Sequence, residues 1–343
     1  MKRLTKDDTL ICKGLGLMIM LFHHLFYRME FIDMYWWHFQ ISGHPIIQIL
    51  AYHMKICVAI FVFLSAYGLT FSYTKSNPKN TKYILKYIFN KIIKLYELYW
   101  PCVAVCIAIG WITKTRIPTE IYSSIGQFIR DLFGIAYITD GVTPYVGAWW
   151  YISLTILIYI VFPILYKIMK KYPIPILIIS FCLGIVNFTD IPIFIEIQRY
   201  TFIVMLGIYF ANNNIFNKLF EWSFKKRILV FTSLSLLLLL LIRFVKSFTF
   251  DGFLVVSIIM LLLTLIDRMP ITNKIFKYIG IHSGNIFLIH GIIYRYSFID
   301  FIYSFKYPIL IFAVLLIISL VISIILELLK KVIVKTKYKE KNA

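Results

Sequence analysis

Residues 11–27 read ICKGLGLMIMLFHHLFY, apolar along their length except at Lys13, His23 and His24. With its flanks the run supplies the about 20 residues that a helix needs to cross the hydrocarbon of a bilayer. The stretch ahead of it, MKRLTKDD, lacks a small-residue cleavage site, and the apolar run continues into HHLFYRMEF. It therefore reads as a retained first span and not as a signal peptide. Ionisable groups inside such a helix are costly and by default point to function. Lys13 and His24 lie eleven steps apart, roughly 16 Å along the axis. Eleven steps of 100° leave about 20° between them, so they share nearly one face. His23 points elsewhere.

The rest of the chain repeats the apolar theme. Of 343 residues, 60% are hydrophobic and 15% charged, with a mean hydropathy of +0.81. Soluble domains carry roughly 25% charged residues. The expected fold is all-alpha, a polytopic transmembrane helical bundle forming one domain over 1–343. Ten apolar stretches fall near 10–29, 50–73, 95–112, 148–168, 174–190, 197–213, 227–243, 250–268, 283–302 and 308–330.

A net charge of +20 is the kind of balance that nucleic-acid binders carry. Here the basic residues concentrate before the first span, at 75–94, 167–171, 218–227 and 268–277, and after residue 330. These are the alternate loops of a ten-helix chain whose termini both face the cytoplasm, as the excess of basic residues on cytoplasmic loops requires. The charge thus reports orientation, and no nucleic-acid partner is expected. The five cysteines have no metal-ligand spacing, no HExxH or Walker loop occurs, and no metal site is expected.

A neutral imidazole beside a cavity suits a general base, because its reference pKa of about 6.5 lies near working pH. The competing reading makes Lys13 a snorkelling side chain and the histidines interfacial. Beyond the histidines, Glu30 and Asp33 stand at the outer end, where they either orient an imidazole or edge a solvated loop. Trp149, Trp150 and Tyr151 suit an interfacial belt as well as a binding surface. Ser65, Tyr67, Tyr151 and Ser153 are polar positions within helices that either line a cavity or bond locally.

Several of these segments together resemble the membrane acyltransferase 3 family. Lys13 precedes His24 by ten intervening residues, which is similar to the family's first-helix signature with lysine in place of arginine. AIFVFLSAYGLTFSY, Ala59 to Tyr73, is similar to the family's FFxLSGF stretch, with Ala66 at the usual glycine. KYILKYIFNKIIKLYELYW resembles its RRxxRIxP region, with Lys91 and Lys94 on the basic positions and Glu97 in the proline region. AWWYISLTILIYIVFPIL, Ala148 to Leu165, resembles the W-[FY]-[LI]-x-x-L helix ending in FP. GNIFLIHG places His290 on the histidine of the family's penultimate-helix element.

The resemblance implies an O-acyltransferase. An acyl-CoA such as acetyl-CoA would enter from the cytoplasm, with its phosphates on Lys13, Lys91 and Lys94 acting as point charges. His24 would deprotonate a hydroxyl acceptor, with Glu30 and His290 as further catalytic candidates and Trp149, Trp150, Tyr151, Ser153 and Ser65 lining the substrate site. The implied acceptor is a carbohydrate or lipid-linked glycan at the outer face of a bacterial cytoplasmic membrane, and membrane lipids are the remaining partners. The outer segment 113–147, with an apolar stretch from Phe128 to Ile138, is expected to shape acceptor choice, and Tyr35 to His44, with Trp36, Trp37 and His38, to cap the pocket. Residues alone also admit a transporter or flippase, a lipid-linked glycan polymerase, or an accessory scaffold. No internal repeat of the transporter kind is evident.

Overall fold

The computed structural model describes residues 4–37, 39–41, 43–186, 189–245 and 248–341, and His38 lies outside them. Among these residues the chain is a bundle whose main helices are α1 (Lys6–Phe26), α2 (Cys57–Ser76), α3 (Thr81–Ile112), α4 (Trp150–Lys171), α5 (Pro173–Leu183), α6 (Pro192–Asn212), α7 (Phe224–Val245), α8 (Asp251–Ile266), α9 (Pro270–Gly291) and α10 (Pro308–Lys341). Strand structure is limited to a two-residue antiparallel pair, Gln40–Ile41 with His44–Pro45.

Local chemistry sets the helix ends. Thr5 and Asp8 form a reciprocal capping box at the start of α1, Asp8 N–H donating to Thr5 Oγ1 at 3.1 Å and Thr5 N–H to Asp8 Oδ2 at 2.9 Å. Four helices, α5, α6, α9 and α10, begin at proline, whose missing N–H costs nothing in the first turn.

Every expected apolar stretch contains a helix, and six helical stretches, Lys6–Phe26, Ile46–Ser76, Thr81–Ile112, Gly147–Lys171, Pro192–Asn212 and Pro308–Lys331, are long and apolar enough to cross a membrane by length and composition. Three expected boundaries need correction, one of them near 283–302, where α9 already starts at Pro270 and gives way at Ile292 to a π-helical turn. Among the described residues the stretch near 174–190 yields α5 alone, roughly 17 Å long, which ends at Leu183 with Gly184 as its C-cap. The third stretch begins fourteen residues earlier than expected. The basic segment 82–94 and the apolar segment after it are one 32-residue helix, since no glycine or proline interrupts it before Pro101 and Asn80 caps its start.

Two apolar cores hold the bundle. One is built around α2, α4, α6 and α8, the other around α1, α3, α9 and α10. Helix α1 belongs to both, with Ile11 and Cys12 in the first and Leu17, Met20, Leu21 and Leu25 in the second. Its tightest partner is α9. A Cβ on Gly14 would collide with the Phe276 carbonyl and one on Gly280 with the Leu10 carbonyl, so the two backbones touch where the glycines sit. At the N-terminal end of α1 Lys277 Nζ meets Asp7 Oδ2 at 2.6 Å. Close approach also survives at Ala66, the position of the usual family glycine, because α6 presents Gly207 there, whose added Cβ would lie 3.0 Å from the Ala66 Cβ.

Candidate active site

Gly14 and His24 are ten residues apart, as are Gly280 and His290. Ten residues rise roughly 15 Å in each helix. Because α1 and α9 run in the same direction from their glycine contact, both histidines arrive at one level. Their rings lie 5.0 Å apart, centroid to centroid, tilted by 39°. His290 is buried, and its Nδ1–H donates to the Phe287 carbonyl at 2.8 Å. That bond fixes the ring and leaves Nε2 as an acceptor. His23 is separated from this pair. Its Nδ1 bonds the Ala51 carbonyl at 2.6 Å, fastening the short helix Ile46–His53 to α1.

His24 and His290 border a pocket of about 210 Å³ at the C-terminal end of α1, here the outer pocket, that also includes Trp150, Arg28, Arg295 and Tyr294. Tyr294 stacks on His290 at 5.8 Å with the rings 3° from parallel. Arg295 reaches this pocket through a π-helical turn, Ile292–Ser297, closed by Phe298 N–H donating to the Ile293 carbonyl five residues back. A five-residue ring rotates the following side chains relative to an α-helix, and such turns concentrate at functional sites.

A second cavity, about 310 Å³, lies toward the N-terminal end of α1, here the inner cavity, and is lined by Lys13, Ser65, Tyr151, Leu98, Asn285 and Phe287. Leu95 also lines it. Helical spacing puts Lys91 one turn before Leu95 and two turns before Leu98, with Lys94 60° to one side. Lys91 is half-buried, its ammonium 5.3 Å from the Tyr87 ring, and Lys94 is exposed. Phe287 stands between the two cavities, its ring 5.3 Å from Tyr151, 6.1 Å from Phe61 and 6.2 Å from His290. At the back of the inner cavity Asn285 donates to Glu327 at 2.9 Å and to Ser323 at 3.0 Å, and Lys330 donates to Glu327 at 2.8 Å.

The residues read together as a substrate surface divide among three environments. Trp150 borders the outer pocket, while Tyr151 and Ser65 line the inner cavity. Trp149 and Ser153 are fully enclosed. Trp149 Nε1–H donates to the Leu288 carbonyl at 3.0 Å, two residues before His290, and Ser153 donates to the Gly134 carbonyl at 2.5 Å. Glu30 stands at the outer mouth, 3.1 Å from Arg28 and 3.7 Å from Arg295.

Between the candidate spans, the segment joining α3 and α4 folds around Asp131 on the short helix Ile125–Leu132. Tyr122 donates to its carboxylate at 2.8 Å, the Tyr145 N–H does so at 3.4 Å, and Tyr99 donates to its carbonyl at 2.7 Å. Oδ1 is buried with no partner. Burial pushes this carboxyl up to about 6 against the hydrogen bond from Tyr122, which lowers it. Arg116 clamps the end of the same segment through the Pro144 and Tyr145 carbonyls and lies 4.2 Å from the Tyr296 ring. The Tyr35–His44 segment docks its Trp36 on Tyr307 at 4.7 Å.

Arg28 and Arg295 were not singled out by the sequence. Arg28 had a readable signal in its closeness to His24 along the chain, although it stands just past the end of α1 in extended backbone. Arg295 had none, because its phase depends on the π turn.

No curated protein and no solved structure matches the chain. The family model described as an acyltransferase domain matches residues 11–328, nearly the whole length. Two histidines brought together between an outer pocket and an inner cavity fit that match, and the chain belongs to the acyltransferase 3 family of multi-pass membrane acyltransferases.

Proposed function

We propose that the protein transfers an acetyl group from cytoplasmic acetyl-CoA to a hydroxyl of a cell-surface or exported glycan, in a bacterial cytoplasmic membrane with both termini inside. The observation that carries the reading is the His24–His290 pair at 5.0 Å, bordering the outer pocket, with Phe287 linking it to a cavity that holds Lys13.

Acetyl-CoA approaches from the cytoplasmic side, its phosphates on Lys13, Lys91 and Lys94, and its thioester passes inward toward Phe287. Ammonium groups hold phosphate as point charges without the paired geometry of guanidinium. His290, fixed through Phe287, accepts an N–H bond from His24 and so orients the other nitrogen of His24 as base. His24 removes the acceptor's hydroxyl proton, the oxygen adds to the thioester carbonyl, and collapse of the tetrahedral adduct breaks the C–S bond. The thiolate of CoA recovers the proton from His24, so no net proton is gained or lost. Trp149 serves in this scheme as a positioning residue, since its bond to Leu288 steadies α9 beside His290. Glu30 acts through the two arginines that it pairs with.

The deciding experiment is transfer of labelled acetyl from acetyl-CoA to surface glycan in membrane vesicles. Transfer by the intact protein, lost in a correctly inserted His24→Ala variant, is expected. Equal transfer by both would remove His24 from the mechanism.

A further inference from the structure

The outer pocket that holds His24 and His290 also holds two guanidiniums, Arg28 and Arg295, and no acidic residue among its described lining. Glu30 alone stands between the pair, at 3.1 Å and 3.7 Å, so this trio carries one positive charge in excess. Each guanidinium has five N–H donors, and one carboxylate engages few of them. Arg28 lies four residues beyond His24, just past the end of α1 in extended backbone, and borders the same pocket as His24. It also borders a wider groove of about 610 Å³, lined by Tyr27, Glu30, His44, Gln48 and Tyr52, where phenol rings and an amide suit sugar faces and hydroxyls.

We infer that the acceptor is an anionic glycan, whose carboxylate or phosphate docks on Arg28 and Arg295 while a neighbouring hydroxyl reaches His24. Both guanidiniums are about one-third exposed, which strengthens charge-assisted bonds relative to open water and keeps the site reachable. The fixed charge selects the acceptor ring and sets which hydroxyl faces the base. This inference rests on the acyl-transfer reading for its chemistry, but its test does not depend on turnover.

The test is a binding titration of the purified full chain with oligogalacturonate, with the same oligomer after reduction of its carboxyls, and with a poly(glycerol phosphate) oligomer. Tighter binding of a charged oligomer than of the reduced one, by about tenfold or more, is expected. The two charged probes tell carboxylate from phosphodiester. Arg28→Gln and Arg295→Gln should each weaken charged binding by about tenfold to a hundredfold and leave reduced-oligomer binding unchanged. Arg28→Lys should fall between, and Lys114→Gln, an exposed lysine beyond α3 on the same face, should change nothing. Equal binding of charged and reduced oligomers, or charged binding indifferent to both glutamine variants, overturns the inference. Charge-dependent binding that persists where no acetyl transfer can be detected would support this site while counting against acyl transfer.

Discussion

Gly280→Ala tests whether the glycine contact sets the catalytic geometry. The new methyl would fall inside van der Waals contact of the Leu10 carbonyl, and a backbone oxygen in a helix cannot swing aside as a flexible side chain can. The helices must part by about an ångström, with a stability cost of roughly 1–3 kcal/mol for an overpacked contact. If α1 and α9 move as rods, the His24–His290 spacing of 5.0 Å widens by a similar amount. A displacement of that size, remote from the chemistry, costs about a hundredfold in rate. The assay is acetyl-CoA-dependent acetyl transfer in vesicles, normalised to inserted protein, with Gly68→Ala as control, because nothing lies within 4 Å of a Cβ there. Gly68→Ala should leave turnover unchanged and gain about 0.5–1 kcal/mol of helix stability. Full turnover by inserted Gly280→Ala would refute the argument that the glycine contact sets the spacing of the imidazoles.

The adjacent histidines should separate cleanly: His24→Ala abolishes transfer, whereas His23→Ala retains it and raises proteolysis near residues 46–53, where its bond to Ala51 is lost. Lys13→Ala is expected to raise KM for acetyl-CoA while leaving acceptor preference intact, and an unchanged donor KM would sink that role. Phe287→Ala removes the ring between the two cavities; acceptor-independent acetyl-CoA hydrolysis should rise several-fold, measured as free CoA release. For Asp131 the folded carboxyl titrates near 6 against an unfolded reference of 3.8. The folded state then binds more protons than the unfolded state between those values, so the loop loses stability as pH rises from about 4 to 6, by up to about 3 kcal/mol. Slower proteolysis of 113–147 at pH 5 than at pH 7.5, with the difference abolished in Asp131→Asn, is the expected result, and a pH-independent rate in the intact chain would contradict it.

The helical class was readable because apolar runs of spanning length carry that information without any tertiary contact. The same holds for Lys13 and His24, whose relation is fixed within one helix. Meeting of His24 with His290 was not readable from spacing, since it depends on two backbone contacts, Gly14 with Phe276 and Gly280 with Leu10, between segments far apart in the chain. The cluster from Trp149 to Ser153 shows the opposite limit. Five consecutive residues on a turn entering a helix point in all directions, so a polar or aromatic run cannot say which members face a cavity. The early start of α3 was hidden for another reason: the lysines at its N-terminal end look like loop in a hydropathy profile and are sound helix formers.

The pairing of α1 with α9 also sets a schedule for biogenesis. Asp7 and Lys277, which bridge that pair near the start of α1, are 270 positions apart. At ribosomal speeds of about 5–20 residues per second, α1 waits roughly fifteen seconds to a minute for its partner to emerge. During that wait the shallow groove at Gly14 must stay open while the helices between are made and inserted. A groove that takes only a neighbour whose backbone can come as close as that of α9 at Phe276 discriminates among those intervening helices by shape, so the pairing of His24 with His290 forms only when synthesis is almost complete.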